Sequence, residues 1–339
     1  MTPQFGRPVS SSAILTPFIS EAGRLRRFVP PFRFTSFFSP EDTLLCAVAA
    51  EAALARGRAS RRKSGWQSTP MKIAELTTGS GLVGLHLLSL ESGSHLVGFD
   101  VDPRATVTAS NNANLLGFGQ RARFACADLW SDDTLSALGD YRPNLIVCNP
   151  PYIPEPPGTS LQLEAGAAFD GTAHLIRTIE LAERVRPRAL ALSWCSLSDP
   201  WKVIRRAQAA GYMLNSLYIV AIADGEYSGS VRDYLHTLRG AYLSELPEDV
   251  DAVAPDRSAR FVYLLMAGDF SRRDHSAVDL SAAPEVVERI CRNFAREGLS
   301  SLRHPIAPFL VRTWLLDRWD ELRLRASLHG NMRSVETTA

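Results

Sequence analysis

Short, mostly apolar runs alternate with longer stretches of helical character from Met71 to Met266. The runs at 71–76, 95–100, 123–128, 144–148 and 189–194 have strand length. Segments at 82–91, 103–116, 172–185 and 200–210 between them read as helices, and Gly117 and Gly211 follow two of these at the usual closing position. A strand apolar at most positions without alternation is buried on both faces. That demands helices above and below a parallel sheet. Two further runs, 214–223 and 260–267, bring the expected total to seven strands. The 224–258 segment between them is too long for an ordinary connection and contains a predicted helix over 230–243.

The flanks differ from this core. Residues 1–68 read as an N-terminal part with irregular residues 1–30, a helix over 40–56 opened by Ser39 and Pro40, and a basic run from Arg56 to Lys63 read as a solvated linker. The repeating core spans 69–269 with an insertion at 224–258. Residues 270–339 read as a helical extension, with helices over 283–296 and 307–328 and a disordered end from Asn331. Trp314 and Trp319 fall on the packed face of the second helix.

Composition narrows the partners. Thirty-seven basic and 36 acidic residues leave a net charge of +1, which gives no bulk electrostatic hold on nucleic acid. No apolar run reaches the roughly 20 residues that span a bilayer, so no membrane partner is expected and the chain reads as cytoplasmic. The five cysteines form no CxxC pair and lie apart from histidines, so no metal site is expected. Cys126, Cys148, Trp194 and Cys195 read as core or strand-end packing. Arg232 and Arg239 fall on one predicted helix face, and Arg272 and Arg273 on the surface.

The chemistry gathers where strands end. Glu75-Leu76-Thr77-Thr78-Gly79-Ser80-Gly81 joins the first strand to a helix, and its glycines let backbone approach a ligand near free helix N–H groups. Asp100 ends the next strand, about 20 residues beyond the glycines, where an acid can accept hydrogen bonds from ribose hydroxyls. Asp128 ends the third. Ligands of open parallel sheets bind outside the carboxyl ends of the strands, so three acids in register beside a glycine-rich turn point to a nucleoside cofactor. The fourth strand runs into Asn149-Pro150-Pro151-Tyr152. The prolines stiffen this turn and fix an Asn amide and a Pro carbonyl, two acceptors suited to the hydrogens of a planar, conjugated NH2. Tyr152 adds a flat face.

With these motifs the chain resembles the class I S-adenosylmethionine-dependent methyltransferases that carry an NPPY motif. Within them it is most similar to the glutamine methyltransferases of peptide release factors. The resemblance runs from about Phe38 to Met266 and includes Phe38-Ser39-Pro40-Glu41-Asp42-Thr43 and Phe169-Asp170-Gly171. It implies a Rossmann-like, doubly wound α/β fold with a mostly parallel seven-stranded sheet whose last strand is antiparallel. It implies S-adenosyl-L-methionine as cofactor: Glu75, Thr77, Gly79 and Gly81 form the turn around its methionine part, Asp100 holds the ribose and Asp128 the adenine amine. Asn149 would bind the amide being methylated and adjoin the cofactor, with Pro150 and Tyr152 completing the catalytic pocket. Thr77 stands where the family's turn has its first glycine, and a β-branched residue resists the positive φ of that position.

The expected function is methylation of an amide or amine nitrogen, first of all on a glutamine of a protein or peptide. Three alternatives use the same residues or fold: methylation of the exocyclic amine of adenine in DNA or RNA, methylation of a small molecule, and a catalytically inactive binding protein. Glu226-Tyr227-Ser228-Gly229 opens the insertion, as a substrate lid or as surface loop.

Overall fold

The computed structural model describes residues 40–63, 70–161, 163, 165–246, 260–273, 283–303 and 311–314. Its strands are β1 (Lys72–Leu76), β2 (His95–Asp100), β3 (Ala122–Cys126), β4 (Leu145–Cys148), β5 (Ala189–Cys195), β6 (Tyr212–Ala223), β7 (Leu243–Glu245), β8 (Phe261–Arg272) and β9 (Val311–Trp314). They form one sheet in the order β3-β2-β1-β4-β5-β8-β6-β9, with β7 added beside β8. β1 to β5 pair in parallel, while β8 runs antiparallel to β5, β6 and β7. The expected mixed sheet with an antiparallel late strand is therefore present. It has nine strands, not seven, because β7 and β9 join it.

Nine helices of α type flank the sheet among the described residues: α1 (Pro40–Lys63), α2 (Leu82–Leu90), α3 (Pro103–Leu115), α4 (Asp132–Tyr141), α5 (Ala173–Val185), α6 (Pro200–Ala209), α7 (Glu226–Ser230), α8 (Arg232–Leu235) and α9 (Ala283–Glu297). Strand side chains alternate between two cores, as the pleat requires. Leu145 and Val147 face a core shared with Leu45 and Leu54 of α1 and Leu85 of α2. Ile146 and Cys148 face another, shared with Leu175 and Ile179 of α5, Val203 of α6 and Val287 and Phe294 of α9. Trp194 lies wholly inside this second core, as expected.

Several expectations need correction. The basic stretch from Arg56 is no linker: α1 continues to Lys63. Arg56 Nε donates to the Asp269 carboxylate at 2.6 Å and its Nη2 to Ser216 at 2.7 Å, while Arg58 pairs with Glu91. Carboxylate partners fix these side chains against the body. Cys126 is exposed, not core, because β3 is an edge strand with open faces. The helix expected over 230–243 is two short helices, α7 and α8, followed by β7, and Arg239 lies in a turn beyond α8. Gly229 in α7 packs so tightly on Arg260 and Asp224 that an added Cβ would stand 2.9 Å from the guanidinium, and this close approach fixes the path of the segment. Val311–Trp314 is strand, not helix. Its Val, Thr and Trp favour the extended state, and β6 offers a free edge to pair with. The rest of the expected 307–328 helix, Trp319, the N-terminal 1–39 and the end from Asn331 lie outside the described residues. One helix escaped the sequence reading: α4, capped by the Ser131 side chain, which accepts from Thr134 N at 3.1 Å.

Candidate active site

Register decides what meets at the carboxyl end of the sheet. Leu76 pairs with Phe99 on one side and with Cys148 on the other, so β1 and β4 end level and β2 ends one residue further, at Asp100. β3 ends there too, where Cys126 pairs with Asp100. The four motifs thus emerge side by side, in the order Asp128, Asp100, the 75–81 turn, Asn149.

The turn is tied from beneath. Glu75, 4% exposed, accepts from the Thr78 hydroxyl at 2.6 Å and from Gly84 N at 3.1 Å. Both carboxylate oxygens therefore hold protein, and burial pushes the Glu75 pKa up to about 7. Glu75 is the tie of the turn to α2, which the sequence alone did not indicate. Gly84 makes the tie possible: a Cβ there would lie 2.6 Å from the carboxylate. Asn112 of α3 adds a bond to the Ser80 carbonyl at 2.9 Å, a contact with no sequence signal.

Thr77 takes a φ of 55°, the conformation a glycine would adopt, with its hydroxyl on the Leu76 carbonyl at 2.5 Å. The turn keeps its path at the cost of backbone strain, about 1–3 kcal/mol for such a residue. Gly79 and Gly81 follow with φ of 53° and 78°. A Cβ on Gly79 would meet nothing within 4 Å, so this side of the turn is an open cradle. Gly81 caps α2 and is closed in, with the Phe124 ring 3.1 Å from where its Cβ would be.

Asp100 accepts from Gly79 N at 2.8 Å and from Asp102 N at 3.0 Å, and burial raises its pKa. Each oxygen keeps a second lone pair for a ligand hydroxyl. Asp128 accepts from Trp130 N at 2.9 Å, and its carbonyl takes the Thr134 hydroxyl at 2.7 Å. The open cradle at Gly79, with Asp100 bonded to it and Asp128 beside it, fits a nucleoside carrying an amino-acid tail.

The Asn149 turn stands on the other side of the 75–81 turn. Its Oδ1 is buried and has no hydrogen-bond partner among the described residues. Such an acceptor costs roughly 1–3 kcal/mol when left unmade. Pro150 is buried, and Tyr152 is 8% exposed with its hydroxyl facing Asp42 of α1. Most of the Tyr152 ring is thus committed to the core, and Asp42, legible only as a first-turn helix acid, belongs to its surroundings. Gly171 packs on the Tyr152 carbonyl, 2.3 Å from the position of an added Cβ, which gives Phe169-Asp170-Gly171 a physical role. The structure sets the site residues named from the sequence at or just beyond the carboxyl ends of four neighbouring strands.

Residues 66–163 match the family model of the methyltransferase small domain. This segment holds the 75–81 turn, Asp100, Asp128 and Asn149, and the class to which the chain is similar is the class I, S-adenosylmethionine-dependent methyltransferases. Among particular relatives, it is 40% identical over 99 residues to a release factor glutamine methyltransferase of Rhodospirillum rubrum, covering 29% of this chain and 28% of that protein. A protein of the same description from Chlorobaculum tepidum is 33% identical over 129 residues, 38% of this chain and 44% of its own length. A tRNA1(Val) (adenine(37)-N6)-methyltransferase of Porphyromonas gingivalis is 33% identical over 85 residues, 25% of this chain and 33% of its own. The matches span less than half the length of each of these relatives. No helix among the described residues is long and apolar enough to cross a membrane.

Proposed function

We propose that this chain methylates a planar nitrogen with S-adenosyl-L-methionine, and that its acceptor is the side-chain amide of a glutamine in a protein. The observation that carries this reading is the buried, unpartnered Asn149 Oδ1 at the end of β4. A buried acceptor is tolerated where a ligand donor completes it. The glutamine methyltransferases among the relatives favour a carboxamide as that donor. The reading places the reaction in the cytoplasm.

When bound, the cofactor supplies an electrophilic methyl group on a sulfonium. Thr77, Gly79 and Gly81 would line its amino-acid part, with Glu75 holding the turn; Asp100 would take the ribose and Asp128 the adenine amine. Asn149 Oδ1 and the Pro150 carbonyl accept the two N–H bonds of the acceptor. They draw the nitrogen lone pair out of conjugation and hold it in one direction. The nitrogen would gain the methyl carbon as that carbon's bond to sulfur breaks, leaving a neutral thioether, and would release one proton. Tyr152, held from below, closes the pocket floor against water.

The test is transfer of radiolabelled methyl into host protein, RNA, DNA and small-molecule fractions. Wild type should label protein, and Asn149→Ala should lower the rate about a hundredfold with cofactor affinity within twofold. Equal loss of turnover and cofactor affinity would refute the role given to Asn149.

A second reading, the exocyclic amine of adenine in nucleic acid, is favoured by the Porphyromonas gingivalis relative. The charge around the site opposes it. Lys202 pairs with Asp170, Arg177 with Glu180, Arg232 with Glu245 and Arg260 with Asp224, so these cations already carry carboxylates. Label in RNA or DNA would establish this second reading instead.

A further inference from the structure

Between Tyr152 and α5 the chain makes a loop whose shape is fixed from inside. Glu155 Oε1 accepts from Leu161 N at 2.8 Å and its Oε2 from Ala168 N at 3.1 Å, while Glu155 N donates to the Ala168 carbonyl at 2.9 Å. Ile153 N donates to the Ala165 carbonyl at 3.0 Å, and Ala167 N returns a bond to the Ile153 carbonyl at 3.1 Å. Gly166 lies so close to Glu155 that a Cβ would stand 2.2 Å from the carboxylate. A second tie comes from the insertion: the Tyr234 hydroxyl of α8 donates to the Phe169 carbonyl at 2.8 Å. The insertion is itself anchored on the sheet end, through Tyr242 N to the Ser196 carbonyl at 2.7 Å and Asp199 N to the Gly240 carbonyl at 3.0 Å.

This loop presents apolar side chains to solvent. Phe169 is 63% exposed and Leu163 is 61% exposed. Phe169 is two residues from Gly171, which packs on the Tyr152 carbonyl, so the platform adjoins the Asn149 pocket. Two large apolar groups held in water on one loop beside a site offer apolar surface to a partner. The neighbouring Lys202 is neutralised by Asp170, which leaves no local attraction for phosphodiesters.

We propose that Phe169 and Leu163 form a docking platform for the polypeptide that flanks the methylated amide, braced by Glu155 and Tyr234; this rests on the protein-acceptor reading above. The platform binds acceptor chain and takes no part in the chemistry, so its loss raises KM and spares kcat. The probes are total soluble host protein and total host RNA, titrated separately with radiolabelled cofactor. Phe169→Ser with Leu163→Ser should raise the protein concentration at half-maximal rate about tenfold, with the maximal rate and cofactor affinity within twofold. Tyr234→Phe, which keeps the ring and loses the brace, should raise it about threefold. An unchanged half-maximal concentration in the double variant, with protein labelled by wild type, overturns the platform alone. A lower maximal rate at unchanged half-maximal concentration assigns the loop to support of Tyr152 and also overturns it. Label in RNA alone, or in neither probe while the cofactor still binds, refutes the protein-acceptor reading and the platform with it.

Discussion

Glu75 and Thr77 sit two residues apart and burden the fold in different ways. Thr77 holds a left-handed backbone that costs a β-branched residue more than a glycine. Thr77→Gly should therefore raise the unfolding free energy by about 1 kcal/mol, after the extra unfolded-state entropy of glycine and the lost hydroxyl bond are counted. Chemical denaturation measures this, and a loss of stability would mean that the bond to the Leu76 carbonyl outweighs the strain. Glu75 carries a buried charge. Its pKa rises from the usual 4.5 to about 7 on folding, so the folded state takes up a proton that the unfolded state lacks between these values. The stability it contributes is full below pH 4.5 and lost as pH rises through about 7. The loss amounts to about 3 kcal/mol for a shift of this size. The difference between wild type and Glu75→Gln, followed by urea unfolding across that range, should show this slope and flatten above it.

Among the elements, those most legible from sequence were β1, β2, β4 and β5 with the helices α2, α3 and α5, while α4 between β3 and β4 was not. Double-sided burial makes their strands apolar at nearly every position, and tight turns place Gly, Asp and Asn at their ends. The acids and glycines of the site were legible for the same reason. Elements defined by distant partners were not. The end of α1 looks like a basic linker until Asp269 and Glu91 are placed beside it. Glu155 and Asn112 have local sequences that say nothing of the turns they hold. The Arg56 pair makes this dependence measurable. Asp269 is fully buried, and burial raises its pKa against the opposing pull of Arg56. Arg56→Ala should cost about 2–3 kcal/mol by stranding that carboxylate, whereas Asp269→Asn should cost less and largely cancel the effect of Arg56→Ala in the double variant. Additive losses in thermal unfolding would contradict a direct pairing.

For the whole molecule, charge is the property that separates the two acceptor classes. A net charge of +1 and paired cations around the site leave few counterions to release on binding. The initial rate of methyl transfer should change less than about threefold between 50 and 200 mM salt. An enzyme that grips many phosphates loses about a thousandfold in affinity or more over the same range. A steep salt dependence would favour nucleic acid. The far side of the sheet holds a different consequence. β9, contributed by a segment near the end of the sequence, pairs in parallel with β6 from Leu217 to Val220. Without it, Leu217 to Val220 in the middle of the twelve-residue β6 would present a bare row of backbone donors and acceptors. Such a row is a template on which another copy can add its own strand. β9 therefore closes the middle of this edge to a strand from another copy, and uncovering Leu217–Val220 should make the molecule associate more readily.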